Sequence, residues 1–393
     1  MKNVVILGGY GNFGKRICEA LIDLDDVIIY IAGRNPEKAE RLKNQLQPKA
    51  KAVVKTATLD INDSKFASEL SALSPDLVIH TGGPFQGQDY GVPEVCINAG
   101  AHYIDLADDR RFVCDITNLD TQARDKGVLV VSGASSVPGL SSAVIDHYRE
   151  EFSSISTIDI AIAPGNKAER GLATVAGILS YTGHPFPVFR DGIWQQAYGW
   201  MDPKVEDFGA FARKRYLANV DIPDLELYPD LYQVSERVSF QAGLELGILH
   251  YGMVAMAYLC KIGLVKNWQP LAKPIVAASN YFGSFGTDKG AMRVKIAGID
   301  LQGQDQEISW TLYAPDGNGP YIPTLSTIIL ARKLLCDEAK TSLPTGAKPC
   351  VNLLELEDFN PYFDTYKIHY HSQIRKQNWE QNREQDHNAG QEI

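Results

Sequence analysis

The chain is predicted to be α/β, with an N-terminal doubly wound parallel sheet over residues 1–133 and a second, α+β mixed-sheet domain over residues 134–371. Three observations predict this. A short apolar run, Val4 to Leu7, breaks at once into Gly8-Gly9-Tyr10-Gly11-Asn12-Phe13-Gly14, and helical spacing follows through Ile17, Leu21 and Leu24. Apolar strands then alternate with helical segments as far as Ser132, the rhythm of a parallel sheet covered by helices on both faces. Beyond Ser132 the rhythm stops, and apolar residues alternate with polar ones as in an antiparallel or mixed sheet.

Taken in order, Val27 to Ala32 reads as the second strand and ends at Gly33-Arg34-Asn35. Pro36 suits the first position of a helix, where its missing N–H costs nothing, and Glu37 to Leu46 continues that helix. Ala52 to Leu59 is the third strand, after which Asn62 or Asp63 is placed to cap a helix from Lys65 to Leu73. Leu77 to His80 is the fourth, running into Thr81-Gly82-Gly83-Pro84-Phe85. A helix from Val92 to Ala99 stops at Gly100, a residue suited to the left-handed turn after a helix. His102 to Leu106 and Val128 to Val131 complete the series.

In the second domain Ile155–Ala163, Ala291–Ile299 and Glu307–Tyr313 read as strands, and Met201 to Leu231, rich in charge and proline, as a long loop. A late helix, Thr324 to Cys336, is expected to pack back on the first domain. Residues 372–393, full of Gln, Asn and Glu, are expected to form a disordered polar tail.

Composition narrows the function classes. A length of 393 residues suits two or three domains, and 45% hydrophobic with 22% charged residues is ordinary for a soluble globular chain. A formal net charge of −10, with no long Lys/Arg run, argues against nucleic-acid binding. Six scattered cysteines without C-x-x-C spacing argue against a zinc site or a disulfide framework and fit a reducing, cytoplasmic compartment. The N-terminus enters a strand directly, so no signal peptide is expected. The apolar stretch Gly243 to Val265 carries Glu245, His250 and Lys261, which are costly at a bilayer centre. A buried or subunit-contact helix is therefore a simpler reading than membrane contact.

The spacing Gly9-x-Gly11-x-x-Gly14, between a strand and a helix, is a dinucleotide-binding fingerprint of the Rossmann type. Gly9, Tyr10, Gly11, Asn12, Phe13 and Gly14 are the candidates to cradle a pyrophosphate at the helix N-terminus. A site preferring NAD carries an acidic residue at the end of the second strand, to bind the ribose 2′-hydroxyl. Here that place holds Arg34 and Asn35, while the nearest acids, Asp25 and Asp26, precede the strand. An arginine there can pair with a 2′-phosphate through its planar fork, so NADP is the expected cofactor. The alternative is a surface arginine paired with Glu37 or Glu40. Asp60 and Ile61 are placed to flank the adenine, and Thr81, Gly82, Gly83 and Pro84 to lie near the nicotinamide.

Hydride transfer also needs a group that moves a proton. Asp108 and Asp109, just beyond the fifth strand, lie on the side where substrate enters, although either could instead cap the helix that follows. Asp105 is expected to be structural, against backbone or Arg110. His184, between Gly183 and Pro185, is either a proton donor or a plain loop histidine. Arg213-Lys214-Arg215 could attract a carboxylate, though such a run is usually a solvated surface. His369 and His371 share a strand face with no third ligand spaced to join them, so no metal site is expected.

These stretches together resemble the saccharopine dehydrogenase-like family, which includes saccharopine reductases and lysine dehydrogenases. The resemblance rests on Gly8–Gly14, Gly33-Arg34-Asn35-Pro36-Glu37-Lys38-Ala39, His80-Thr81-Gly82-Gly83-Pro84-Phe85 and Ala101-His102-Tyr103-Ile104-Asp105-Leu106. It continues through Ser132–Ser141, around Pro138-Gly139, and Gly319-Pro320-Tyr321-Ile322-Pro323. The resemblance implies an NAD(P)-dependent oxidoreductase whose second domain supplies the substrate pocket and often the contact of a homodimer. In one respect the chain departs from it: saccharopine reductases carry an acidic residue just before the Pro-Gly, where this chain has Ser135-Ser136-Val137. The resemblance therefore carries over the cofactor and not the amino-dicarboxylate substrate.

The turn also contains Gly8-x-x-Gly11-x-x-Gly14, the spacing of short-chain dehydrogenases, but none of the 18 tyrosines has the lysine four positions on that their chemistry needs. The expected function is hydride transfer between NADP(H) and a small amine, imine or carbonyl compound. The alternative is a non-enzymatic NADP(H)-binding sensor. Ionisable groups within reach of the nicotinamide would favour the enzyme.

Overall fold

The computed structural model describes residues 1–336 and 343–377. The first domain is built on strands β1 (Lys2–Leu7), β2 (Val27–Gly33), β3 (Val53–Thr58), β4 (Leu77–His80), β5 (His102–Asp105) and β6 (Leu129–Ser132). Between and after them run helices α1 (Asn12–Leu21), α2 (Pro36–Leu46), α3 (Phe66–Ala72), α4 (Gly91–Asn98), α5 (Arg110–Cys114), α6 (Asp120–Asp125) and α7 (Ser141–Arg149). Val4, Val5 and Ile6 are fully buried because helices cover both faces, which is why these strands read as unbroken apolar runs. The order reverses between β1 and β4, and the crevice outside the strand ends at that reversal is where an α/β sheet binds its ligand.

The second domain opens with β7 (Phe152–Ala163), followed by α8 (Leu172–Tyr181) and the hairpin β8 (Pro185–Arg190) and β9 (Ile193–Tyr198). Then come β10 (Lys204–Asp207), α9 (Gly209–Ala212), β11 (Lys214–Asn219), α10 (Asp224–Leu231) and β12 (Arg237–Leu244). Helices α11 (Gly247–Lys261) and α12 (Ala272–Asn280) precede β13 (Gly290–Asp300) and β14 (Asp305–Ala314). After α13 (Ile322–Leu335) the chain returns to the first domain as β15 (Gly346–Pro349), then ends in α14 (Asn360–Thr365) and β16 (His369–Gln377). The second sheet runs β10-β11-β12-β7-β13-β14-β16 and is mixed, with β12 parallel to β7 and its other pairs antiparallel. Its inner face, including Ile158, Ile160, Val294, Ile296 and Trp310, joins Val4 and Ile6 of the first sheet in one continuous apolar cluster.

Several expectations need correction. Residues 346–349 pair in parallel with β6 and complete a seven-stranded first sheet, so not all of residues 134–371 lies with the second domain. Met201 to Leu231 is not a loop but contains β10, β11 and α10. Lys204–Asp207 escaped notice because it is an edge strand whose exposed charges mask any apolar alternation. The tail reading fails for residues 372–377, which pair with β14; the rest of the expected tail lies outside the described residues. Asp63 does not occupy the capping position of α3. It braces the preceding turn, its Oδ1 accepting from the Lys65 N–H at 2.9 Å.

Helix α13 does pack back on the first domain. Ser326 Oγ donates to the Ser135 carbonyl at 2.8 Å and Thr327 Oγ1 to the Ala134 carbonyl at 2.7 Å. The Ser135–Gly139 segment is thus held between the domains. Beneath it lies a buried polar cluster in which Ser141 Oγ meets Asp224 Oδ1 at 2.5 Å and the Tyr228 hydroxyl at 2.6 Å. Burial pushes the Asp224 carboxyl up to about 7. Its folded value lies above its unfolded one, so the stability linked to this proton is complete at low pH and is lost as pH rises through about 7. Thermal melts should therefore show stability falling as pH rises from about 4 to about 7, with Asp224→Asn removing part of that fall. An unchanged pH profile in the variant would show that Asp224 is ionised throughout.

Candidate cofactor and active site

The turn after β1 is made for glycine. Gly8 has φ +75, and its N–H donates to the Ala32 carbonyl at 2.9 Å, tying the turn to β2. A Cβ on Gly14 would lie 2.3 Å from the Gly8 carbonyl oxygen, so helix and turn are in backbone contact. Helix α1 starts at Asn12 with Gly11 as its cap, no side-chain cap and no acid in its first turn. The N–H groups of Asn12, Phe13 and Gly14 donate to no described residue. A cradle of free donors at the positive end of a helix fits a pyrophosphate.

Tyr10 links this turn to the next loop. Its hydroxyl accepts from the Asn35 N–H at 2.9 Å, and its ring covers Gly33, where a Cβ would lie 2.7 Å from the hydroxyl oxygen. Asn35 also caps α2, accepting from the Lys38 N–H at 2.9 Å. Arg34, between these fixed points, is exposed and bonds to no described residue. Glu40 is engaged instead by Thr56 at 2.5 Å and Lys43 at 3.2 Å, so the structure does not show the alternative pairing for Arg34. Asp60 and Ile61 are half-buried beyond β3, the neighbour of β2, with Asp60 Oδ1 accepting from the Asn62 N–H at 3.1 Å.

The loop after β4 faces the turn. Thr81 Oγ1 donates to the Leu7 carbonyl at 2.8 Å, while Gln88 Nε2 donates to the carbonyls of Gly82 at 3.1 Å and Pro84 at 2.7 Å. Below the loop, His80 Nδ1 lies 3.0 Å from the Tyr103 hydroxyl. Burial pushes the imidazole down to about 4, so it stays neutral at neutral pH.

The second domain closes over this mouth. Glu169 pairs with Lys15 at 2.8 Å and Arg16 at 3.0 Å on α1. A Cβ on Gly171 would lie 3.6 Å from Asn12, and one on Gly83 would lie 3.7 Å from Ala173. Gly177 fits against Gln86, whose carboxamide oxygen would be 2.7 Å from an added Cβ. Gln86 Nε2 donates to Asp108 Oδ1 at 3.0 Å, and burial raises the Asp108 carboxyl above its ordinary range. Tyr181, one turn beyond Gly177 on α8, is held well above the usual phenol range by burial, with the nearby charges of Asp108 and Asp221 adding to the shift. It therefore remains a protonated donor. Loop, carboxyl and amide thus meet beneath α8, with the Tyr181 phenol within reach of the Asp108 charge.

The other sequence candidates separate. Asp109 caps α5, accepting from the Phe112 N–H at 2.8 Å, which leaves Asp108 facing Gln86. Asp105 is internal, its Oδ1 accepting from Ala107 N–H, Gly133 N–H and Ser132 Oγ. Arg110 pairs not with Asp105 but with Asp221. His184 follows a turn packed on α11, where a Cβ on Gly183 would meet the Ala257 carbonyl at 2.2 Å, and no bond links its imidazole to Asp108. Arg215 is not on a solvated surface; it is buried and pairs with Glu245 at 3.3 Å. His371 stacks on Tyr313, and among the described residues no group of three or more His, Cys, Asp or Glu could hold a metal.

Gln86, Glu169 and Tyr181 were missed by sequence reasoning. Glutamine carries no motif, and α8 reads as any apolar helix. Only the position of Gln86 beside the quoted His80–Phe85 run hinted at it.

The fold joins a parallel sheet of the dinucleotide-binding type to a mixed sheet, and residues 169–177 of the second part lie against α1 and the loop after β4. Residues 4–131 match the saccharopine dehydrogenase NADP binding domain, whose cofactor is NADP. The match is confined to the N-terminal domain, which is similar to the NADP-binding domain of the saccharopine dehydrogenase-like family. The chain is similar in fold to apo saccharopine dehydrogenase (L-Glu forming) from Saccharomyces cerevisiae, at 14% identity and a TM-score of 0.64, over 95% of this chain and 100% of that one. It is also similar to a short-chain dehydrogenase of Penicillium rubens, 31% identical over 110 residues. That match spans 26% of this chain and 42% of the relative's length.

Proposed function

We propose that the protein is an NADP-dependent oxidoreductase that transfers hydride between NADP(H) and a small amine, imine or carbonyl compound of amino-acid-like character. The observation that carries this reading is that Gln86 holds Asp108 beneath α8, beside the Thr81–Pro84 loop, with the Tyr181 phenol within reach of the Asp108 charge. Ionisable groups at that place favour an enzyme over a cofactor sensor. The bound cofactor would give the hydride as NADPH or accept it as NADP+. The chain's own part is to hold the substrate nitrogen or oxygen under α8, with Tyr181 as hydrogen-bond donor and Asp108 moving the proton. A buried carboxyl raised above its usual range is suited to general acid work near neutral pH. His184 remains a second proposed proton donor; its backbone N–H donates to the Tyr181 carbonyl at 3.0 Å, but no bond links its imidazole to Asp108, which makes Asp108 the stronger candidate.

The preference for NADP over NAD is assigned to Arg34. Its free guanidinium, held between the Tyr10 contact and the α2 cap, is positioned for a 2′-phosphate. A charge-assisted contact of about 1.5–3 kcal/mol corresponds to a loss of about 10- to 150-fold in NADPH affinity for Arg34→Ala, with NADH affinity unchanged. Titration by protein-to-nicotinamide fluorescence transfer measures both. Equal weakening of the two nucleotides would show that Arg34 supports the loop rather than the phosphate.

The outer face of the second sheet is proposed as the contact of a homodimer. Arg293, Lys295, Glu307 and Arg375 line an open groove of about 480 Å³ there, and such mixed charge lets a two-fold copy pair cation with anion. Sedimentation measures the assembly state. A cytoplasmic location is proposed from the six cysteines, all free in the structure.

A further inference from the structure

Helix α11 is apolar on its solvent side as well as its buried side. His250, Val254, Ala257 and Cys260 face inward. The outward stripe recurs every three or four residues as Ile248, Tyr251, Gly252, Ala255, Tyr258, Leu259 and Ile262, and the one exposed charge of the helix is Lys261 at its last position. Ile248 is 68% exposed, Tyr251 50%, Tyr258 52% and Ile262 64%, and Leu264 just beyond is 72% exposed. A surface helix ordinarily turns several charged residues outward, so one whose exposed face is apolar up to a single terminal lysine has something to cover it. Yet no helix among the described residues is long and apolar enough to cross a membrane.

The charge around the stripe indicates what that cover is. Between Leu246 and Thr287 the chain carries Lys261, Lys266 and Lys273 but no Asp or Glu, in a protein whose net charge is −10. All three lysines are exposed. Lys261 lies over the Tyr198 ring at 4.2 Å, and Trp268 Nε1 donates to the Met256 carbonyl at 2.9 Å, which holds the lysine-bearing loop against α11. A second copy docked on this face by two-fold symmetry would set lysines toward a segment that also lacks carboxylates. An anionic lipid surface supplies both the apolar layer and the negative charge that this face complements.

We propose that the α11 face docks the protein on the surface of an anionic phospholipid bilayer. The apolar stripe enters the boundary between headgroups and acyl chains, tyrosines sit at headgroup level, and the lysines pair with lipid phosphates. The full chain, purified without detergent, is to be floated with vesicles of phosphatidylcholine alone and of phosphatidylcholine mixed with phosphatidylglycerol, at low and at high salt. Binding to the mixed vesicles is expected to exceed that to phosphatidylcholine and to weaken with salt. Ile262→Glu should reduce it at least about tenfold, because a charge then replaces buried apolar surface. Leu264→Glu, on the loop beyond the helix, reads the same contact should Ile262→Glu fail to fold, and NADPH titration checks the fold of both. The proposal is overturned if the unmodified chain stays in solution with anionic vesicles, or if a folded variant floats as well as the parent. It is equally overturned if sedimentation shows a dimer that Ile262→Glu splits, since a second copy then covers the stripe.

Discussion

Gly14→Ala is expected to abolish measurable NADPH binding and to lower the melting temperature. The added Cβ would lie 2.3 Å from the Gly8 carbonyl oxygen, 2.7 Å from Gly9 Cα and 2.9 Å from the Gly9 carbonyl carbon. All three are backbone atoms, so no side-chain rotation relieves the clash. Either the turn or helix α1 must move by roughly 1 Å, an overpacking cost of about 1–3 kcal/mol. The same movement misaims the free donors of Asn12, Phe13 and Gly14. Losing even two charge-assisted bonds, each about 1.5–3 kcal/mol, weakens binding more than about 100-fold. Gly100→Ala is the control. Gly100 has φ +71 with nothing within 4 Å of an added Cβ, so that substitution should cost stability and leave NADPH affinity alone. Fluorescence titration beside thermal melts separates the two effects. A Gly14→Ala protein with parental NADPH affinity would show that the cofactor does not use this turn.

Asp108→Asn is expected to lower kcat by about 10²- to 10⁴-fold, the range for losing a positioned proton-transfer group. NADPH affinity should stay within about twofold, because the tenfold-or-larger losses expected of a charged contact arise at Arg34 and the glycine turn. Stability should not fall either. Burial already disfavours the charged carboxyl at this position, and an asparagine keeps its shape without the charge. Single-turnover oxidation of bound NADPH by keto acids and aldehydes, with and without added amine, and reduction of bound NADP+ by amines provide the measurement. A kcat within about threefold of the parent would remove Asp108 from proton transfer and return attention to His184. The departure of Ser135-Ser136-Val137 from the acidic pattern of saccharopine reductases makes the broad panel necessary.

Most of the first domain was legible because its signals are local. Four apolar residues ending in glycines predict a buried strand and its turn without knowledge of any neighbour, and Asn35-Pro36 marks a helix start by its own chemistry. Arg34 could be singled out because its meaning comes from its place after β2. Elements whose identity comes from distant partners were not legible. Gly346–Pro349 has a glycine at one end, a proline at the other and no apolar alternation, and it becomes a strand only because β6 offers it an edge. Asp108 and Asp109 are equivalent in sequence; the backbone turns one into the α5 cap and the other toward Gln86. The lid formed by α8 follows from how two domains meet, which no window of sequence encodes.

The seventh strand of the first sheet bears on how the chain is made and cut. The second domain is an insertion between β6 and β15, and the closing hydrogen bonds join Gly346 to Val128 and Cys350 to Ser132 across more than half the chain. A recombinant fragment stopped at residue 131, where the family match ends, would leave the outer edge of β6 without its neighbour and strip α1 of its α13 packing. An unpaired edge of that kind is a template for aggregation. During synthesis the sheet that leaves the ribosome first waits for almost the whole second domain before its last strand arrives. A chimera that exchanges the cofactor domain therefore needs two junctions, one on each side of the insertion.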